Sequence, residues 1–348
     1  MKNLTAEEVL SQSKAALAQW EPRWEKNAAE NGRIAAARGK KHEEFLLEGM
    51  GRRAVICANG PSLETAIPLL TEFKGMTDLF CCDKSFLHLV KAGLKPQICF
   101  VADAMISWEK YGAPVVDQTE ETALVANVTA NPEWAANWKG PVCFYVNRDN
   151  LHTERKFSAI SGVVQSIPAS SNVGNTAIVF PTMIMGYDRY MLVGYDMSWS
   201  PFGKYYAFDH QDSKRGYMSH SIANDENGTI LFTSSNLVFS SKWLGAWIED
   251  LAITGVDIRY CTPMGIVPVR KWDLRRQLEA AADAGPNGTR RWTPAEKQKY
   301  LDAKATSIIV PPQNFHELPQ LLRQPNIQTV EVSLRGYPIG ALARAERS

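Results

Sequence analysis

No two cysteines show the Cys-x-x-Cys spacing of a zinc or redox motif. Cys57, Cys81, Cys82, Cys99, Cys143 and Cys261 sit mostly in apolar, strand-like runs and read as buried thiols. No run of about 18 apolar residues occurs, which excludes a membrane-spanning helix. Residues 1–41 are polar and charged without an apolar signal-peptide core, so the expectation is a cytoplasmic protein. Neither sign of charge dominates: 38 Lys and Arg against 37 Asp and Glu leave no field for non-specific nucleic-acid binding. A Gly-x-x-x-x-Gly-Lys-Ser/Thr phosphate loop is also missing, so any nucleotide must be held by other means.

What is present is ordinary globular material, 45% apolar and 22% charged, enough to close a core without disulfides. Residues 1–50 are rich in Ala, Glu, Lys and Gln, have no Gly before Gly32, and place Trp20, Trp24 and Phe45 among charged neighbours. This predicts a helical N-terminal arm whose tryptophans are covered by the chain's own core. From residue 53 short β-rich runs alternate with helical ones, the pattern of a mainly parallel, Rossmann-like α/β sheet with helices on both faces. Strands are expected at 54–57, 78–82, 97–101, 122–125, 142–145, 190–193 and 257–261. Helices are expected at 63–73, 85–91, 176–185 and 242–253. The α/β domain thus covers 51–270 and interrupts itself at about 197–241 with a Ser-, Tyr-, Gly- and Asp-rich lid that holds one short strand, 229–233. Residues 271–348 form a C-terminal extension, with helices at 271–284 and 294–304 and then a tail.

Asn59-Gly60-Pro61-Ser62 follows the first of these strands and precedes a helix, at the carboxyl edge where open α/β sheets bind ligands. Gly60 permits a tight turn, Pro61 suits a first helical turn, and free amides with the Ser62 hydroxyl can receive phosphate oxygens. A plain turn with a helix start explains the tetrapeptide equally well. Asp83 and Asp103 follow the next two strands, so the fold brings both to the same edge. Carboxylates there can bind ribose hydroxyls or hold Mg²⁺ against phosphates; each can also simply cap the following helix.

These runs carry a resemblance. Ala54 to Leu63, Phe80-Cys81-Cys82-Asp83-Lys84 and Leu94-Lys95-Pro96 through Asp103 resemble the family named for the hydroxymethylpterin diphosphokinase MptE. Ser171-Asn172-Val173-Gly174-Asn175-Thr176-Ala177 and Leu192-Val193-Gly194-Tyr195-Asp196 form a second agreeing block. The resemblance also implies a bacteriophage source. The same frame is similar to the bacterial sialyltransferases that use a CMP-activated donor, and here the likeness runs on through Tyr205-Tyr206-Ala207-Phe208-Asp209 and Tyr217-Met218-Ser219-His220-Ser221. It implies a donor held by Asn59, Gly60, Pro61, Ser62, Asp83, Asp103, Gly174, Asn175 and Asp196, with Tyr205 and Tyr206 on its phosphate and His220 as general base. Two asparagines of the sialyltransferases stand here as Asp83 and Asp103, and Met197-Ser198-Trp199 replaces a lid tyrosine, which bears on the donor's identity.

On chemistry alone these roles stay open, since the lid histidines can equally be solvent-exposed loop residues and the tyrosines can pack the lid against the sheet. Of the histidines, His210 and His220 lie in the lid, and an imidazole with an ordinary pKa near 6.5 accepts a proton at neutral pH. Tyr205 and Tyr206, beside Lys204 and followed by Lys214 and Arg215, can neutralise a leaving phosphate without a metal. The expectation is an inverting glycosyltransferase with a nucleotide-sugar donor, an unidentified hydroxyl acceptor and no tightly bound cofactor. Its rival is a Mg²⁺-dependent phosphoryl or diphosphoryl transferase with Asp83 and Asp103 as metal ligands. A third reading is a catalytically inactive binding protein of the same fold. The Trp-bearing arm makes self-association an expectation as well.

Overall fold

The computed structural model describes residues 6–45, 48–49, 51–148, 151–167, 172–209, 218, 220–223, 228–253, 255–287, 307–310, 329–334 and 337–344. In chain order the strands are β1 (Gly39–Lys40), β2 (Arg53–Cys57), β3 (Asp78–Cys82), β4 (Ile98–Val101), β5 (Ala123–Asn127), β6 (Val142–Asn147), β7 (Ser166–Ile167), β8 (Arg189–Val193), β9 (His220–Ala223), β10 (Ile230–Thr233), β11 (Asp257–Tyr260), β12 (Ser307–Val310), β13 (Thr329–Leu334) and β14 (Tyr337–Arg344). The α-helices are α1 (Ala6–Arg38), α2 (Leu63–Glu72), α3 (Asp83–Lys91), α4 (Trp108–Tyr111), α5 (Pro132–Asn137), α6 (Leu151–Ser161), α7 (Val173–Phe180), α8 (Ser235–Ile253) and α9 (Leu274–Asp283).

Nine strands form one sheet in the order β1-β6-β5-β4-β3-β2-β8-β11, with β7 alongside β6, and every pairing in it is parallel. The α/β class expected from the alternating runs is the class found. Its strands are buried on both faces, which is why they read as near-continuous apolar runs. Alternate side chains sort by period two. Val55, Cys57, Cys81, Cys99, Leu124 and Phe144 meet α2, α3, α5 and α9 on one face. Ala54, Ile56, Phe80, Phe100, Val125 and Tyr145 meet α7 and α8 on the other. The six cysteines are all buried among these residues, and burial pushes the Cys261 thiol up to about 12.

Several boundaries differ from the sequence reading for local reasons. A capping box between Cys82 and Ser85 starts α3 at Asp83 instead of at Ser85. Asn172 caps α7, which ends at Phe180 and passes into one π-helical stretch over Pro181–Met185. Residues 197–241 are not irregular throughout: β9 and β10 pair as an antiparallel hairpin, with His220 opposite Thr233, and α8 begins at Ser235 instead of at Lys242. The helix expected at 294–304 lies outside the described residues. Among the described residues no helix is long and apolar enough to cross a membrane.

The N-terminal helix packs on the chain's own body. Asn31 Nδ2 donates to the carbonyls of Val128 (2.8 Å) and Ala130 (2.9 Å), and Asn27 Nδ2 to those of Thr129 (3.0 Å) and Ala104 (3.3 Å). Gly32 is required by close approach, because a Cβ there would lie 2.5 Å from the Ser161 carbonyl oxygen of α6. Trp24 meets Phe157 edge to face at 6.4 Å.

At the opposite edge of the sheet, the amino ends of the strands are held by buried Asp78. Its carboxylate accepts from Arg52 Nε and Nη2 (2.6 Å each), the Tyr187 hydroxyl (2.6 Å) and Asn287 Nδ2 (3.0 Å). Burial first, and then the Asp78 charge, push the Tyr187 hydroxyl up, so it stays a donor. Removing the carboxylate strands a guanidinium and two further donors, and breaking such a pair costs about 3–5 kcal/mol. Asp78→Ala is expected to lower the urea midpoint by that equivalent with the m-value unchanged.

Candidate functional site

The chain runs from β2 outward through β3, β4, β5 and β6 and then returns to place β8 on the other side of β2. This reversal between β2 and β8 makes the crevice beyond their carboxyl ends the expected ligand position. A cavity of about 700 Å³ lies there. Its walls come from the ends of six adjacent strands: Asn59 and Gly60 after β2, Asp83 and Lys84 after β3, Asp103 after β4, Asn127 to Thr129 at β5, Val146 and Asn147 at β6, and Gly194 and Tyr195 after β8. At the ~4.8 Å strand spacing, five intervals make this floor about 24 Å long.

The two loops at the switch point are tied together. Gly60 N donates to the Gly194 carbonyl (2.8 Å), and the buried Asp196 carboxylate accepts from Ser62 Oγ (2.8 Å) and Ser62 N (3.3 Å). A Cβ on Gly60 would lie 2.1 Å from Asp196 Oδ2 and 2.5 Å from the Gly194 carbonyl oxygen, so glycine is required there. Burial pushes the Asp196 carboxyl up to about 6, with the Ser62 hydrogen bonds opposing it. This corrects two expectations. The amides of Gly60 and Ser62 and the Ser62 hydroxyl are engaged by the neighbouring loop and do not cradle an anion, and Asp196 braces that loop from behind. Pro61 and Asn175 likewise do not line the cavity. What the loop offers is buried Asn59, whose Oδ1 has no partner.

Asp83 and Asp103 both line the cavity, and neither caps the following helix as the alternative expected, since Cys82 stands at the N-cap of α3 and Ser107 at that of α4; each instead bonds a backbone amide close by. Asp83 Oδ1 accepts from Lys84 N (2.7 Å), and Asp103 Oδ1 from Met105 N (2.8 Å). Asp83 is buried, whereas Asp103 is exposed. Desolvation pushes the Asp83 carboxyl up to about 6; Lys84 pulls it down, and the neighbouring Asp103 charge adds to the rise. Lys84 Nζ stands 3.8 Å over the Tyr206 ring, and Tyr205 packs between Tyr206 and Trp199, at 4.2 and 4.4 Å. Burial holds both tyrosine hydroxyls well above their ordinary pKa, so they are neutral donors at physiological pH. Lys204, expected beside these tyrosines as the phosphate cation, is instead paired with Glu64 (2.9 Å). The cation at the tyrosines is Lys84.

Across from them Asn172, a residue of the cavity wall, caps α7: its Oδ1 accepts from Asn175 N (3.0 Å), and its buried Nδ2 has no partner. Gly174 follows it on the wall, with its carbonyl accepting from the Tyr195 hydroxyl (2.7 Å). Ser198 also lines the cavity, and its buried Oγ has no partner. The segment that carries Ser198, Tyr205 and Tyr206 is bounded by two non-glycine residues at positive φ, Met197 (54°) and Phe208 (61°), a costly backbone state.

His220 does not line the cavity. It is exposed on β9, with its Nε2 3.2 Å from Ser235 Oγ; Leu237, two residues further along α8, does reach the cavity wall. The strand pairing of residues 220–223 holds it at the hairpin instead of in a free lid loop. His210, Lys214, Arg215, Tyr217 and Ser219 lie outside the described residues. The structure thus gathers Asn59, Gly60, Asp83, Asp103, Gly174, Tyr205 and Tyr206 into one cavity, and adds Lys84, Asn127, Asn147, Asn172 and Ser198. The edge rule that singled out Asp83 and Asp103 applies equally to Asn127 and Asn147 at the ends of the next two strands. Among the described residues no group of three or more His, Cys, Asp or Glu could hold a metal ion.

A solved structure of the MAf glycosyltransferase from Magnetospirillum magneticum AMB-1 shares this fold, with a TM-score of 0.54 at 16% sequence identity. The likeness covers 81% of this chain and 43% of that one, so this chain spans less than half of that protein's length. Comparison with curated proteins gives no match. The sequence pattern described as 6-hydroxymethylpterin diphosphokinase MptE-like matches residues 26–201, which hold β2 to β8 and nearly all of the cavity floor. On that match the chain belongs to the MptE-like family.

Proposed function

We propose that this cavity binds a nucleotide-activated sugar and that the protein transfers the sugar to a hydroxyl acceptor. The carrying observation is the polarity of one long cleft: a cation and two neutral tyrosine hydroxyls stand beside a carboxylate pair, with asparagine residues along the rest of its wall. Lys84, Tyr205 and Tyr206 suit the phosphate, where charge develops as the donor departs. Asp83 and Asp103 suit hydroxyls of the sugar or ribose. In the transfer step the acceptor oxygen bonds to the anomeric carbon and the carbon–oxygen bond to phosphate breaks. Its electron pair leaves with the nucleotide, and the acceptor proton goes to a base. His220 takes that role for an acceptor entering over the hairpin, next to Ser235 and Leu237. The fold shared with a glycosyltransferase supports this reading.

The family description favours a second reading, diphosphoryl transfer to a pterin alcohol. Asp83 and Asp103 would then share Mg²⁺ with the phosphates, since this hard cation is commonly bound by one or two carboxylates together with substrate oxygens. The cation would neutralise charge on the transferring group.

Thermal stabilisation by CMP, UDP, GDP, ADP and ATP, each with Mg²⁺ or EDTA at pH 5.5 and 8, separates the two. Glycosyl transfer predicts stabilisation that survives EDTA and is no weaker at pH 5.5, because neutralising Asp83 removes a negative charge near an anion. A shift seen only with ATP and Mg²⁺, fading as pH falls through about 6 where protons compete with the metal for Asp83, overturns it. Once a donor is known, His220→Ala is expected to cut turnover about 10²- to 10⁴-fold with donor affinity retained; an unchanged rate removes His220 from the mechanism. Asp83→Asn keeps the acceptor for Lys84 N and removes a buried charge. With the folded carboxyl near 6 and the unfolded one near about 4, the gain is full above pH 6, shrinks as pH falls, and is gone below about 4. We expect on the order of 1–2 kcal/mol at pH 7.5 by urea unfolding, with nucleotide stabilisation retained, as in the pH 5.5 comparison, under glycosyl transfer and lost under the Mg²⁺ reading.

A further inference from the structure

The far end of the cleft, over β5 and β6, is of different chemistry. Trp24 of α1 and Phe157 of α6 line it together with Val128 and Val146. The two rings stand 81° apart with centroids at 6.4 Å, a right-angled aromatic corner; Trp24 is half-buried, whereas Phe157 is buried. Polar groups border this corner at defined places. Thr129 N and Oγ1 donate to Asn127 Oδ1 (2.8 and 2.7 Å), which fixes that amide so that Asn127 Nδ2 donates to Asn147 Oδ1 (2.6 Å). The Asn147 amide therefore presents its NH₂ as the remaining donor, and Thr153 adds a hydroxyl on the same wall.

An aromatic corner with an amide donor on the same wall is the recognition chemistry of a flat heteroaromatic ring that carries carbonyl or ring-nitrogen acceptors. The strand order gives the distance to the other end. From β5 and β6 to β3, with its Asp83 and Lys84, is two to three strand intervals, about 10–14 Å, which a ribose spans between ring and phosphates. We propose that the Trp24–Phe157 end of the cleft is the nucleobase subsite, with Trp24 as the stacking surface and the Asn147 amide as a donor to the base edge. This rests on the nucleotide reading given above. Trp24 lies on the part of α1 that precedes residues 26–201, two residues before the segment shared with the family. The helix is pinned for the purpose: Asn27 and Asn31, one and two turns on, bond the carbonyls of Val128 to Ala130 directly beneath the corner.

Isothermal titration on the full chain, with whichever of CMP, UDP, GDP, ADP and ATP binds the wild type most tightly, tests the assignment through three variants. Trp24→Ala and Trp24→Leu are expected to weaken binding about ten- to hundred-fold, and Trp24→Phe to stay within a few-fold of wild type. Leu preserves most of the contact with Phe157, so it reports on ring stacking even where Ala disturbs the helix. Wild-type affinity in Trp24→Leu or in Trp24→Ala overturns the base subsite while leaving the nucleotide reading standing. Loss of affinity in Trp24→Phe equal to that in Trp24→Leu also overturns it. A wild-type protein that binds none of the five overturns the nucleotide reading, and the subsite with it.

Discussion

The buried carboxylate of Asp196 sets the geometry on which the cleft depends. It binds both the amide and the hydroxyl of Ser62, while Gly60 donates to the Gly194 carbonyl beside it, so the loops after β2 and β8 move as one body. In a parallel sheet the strands are held only through their interior, and the loops beyond their carboxyl ends must be fixed by something else. Here that is a desolvated acid with a raised pKa, retained because its hydrogen bonds place Asn59 and Tyr195 on the cavity wall. The lid is tied to the same point, since Ala207 N donates to the Asn59 carbonyl (3.0 Å) and brings Tyr205 and Tyr206 over the carboxylate pair.

The remaining length of the cleft follows from strand order. Chain order runs β2, β3, β4, β5, β6 across the sheet in one direction, and each strand ends in a polar residue at the same edge. Successive ends carry Asn59, Asp83, Asp103, Asn127 and Asn147, a row of side chains at the strand spacing. A row of that kind suits an extended ligand with chemically distinct parts better than a compact one. The N-terminal helix then closes the end that the sheet leaves open, and its two asparagines cap carbonyls that no strand partner reaches.

Much of this was legible in the residues. Strands such as 78–82 and 190–193 are apolar runs that only a doubly covered parallel sheet can bury, and the loop following each was readable as an edge position. Asp83 and Asp103 were found by that rule. Asn127 and Asn147 escaped because amides are ordinary at strand ends and carry no charge to attract notice. Sequence shows neither the burial of Asp196 and Ser62 nor their mutual hydrogen bonds, so both look like ligand contacts from sequence. His220 was placed in a loose lid because Ser-His-Ser-Ile-Ala has no strand period; its pairing is supplied by β10, whose Leu231 is buried while Ile230 and Phe232 face outward. Trp24 was recognised as needing cover, but which surface it would share with a cavity depends on the helix's crossing of β5 and β6, which no local pattern encodes.

Several costs that a folded chain normally avoids are carried by residues of this cavity and its lid. Asn59 Oδ1, Asn172 Nδ2 and Ser198 Oγ lack partners; Asp83 is desolvated beside a second carboxylate; Met197 and Phe208 hold positive φ at either end of the tyrosine segment. Each is unfavourable by itself, of order 1–3 kcal/mol for an orphaned buried polar group or a strained residue. A ligand offering hydroxyls to Asp83 and an anionic group to Lys84 would offset the cost of the carboxylate pair. That is how a preorganised site differs from a hole in the packing.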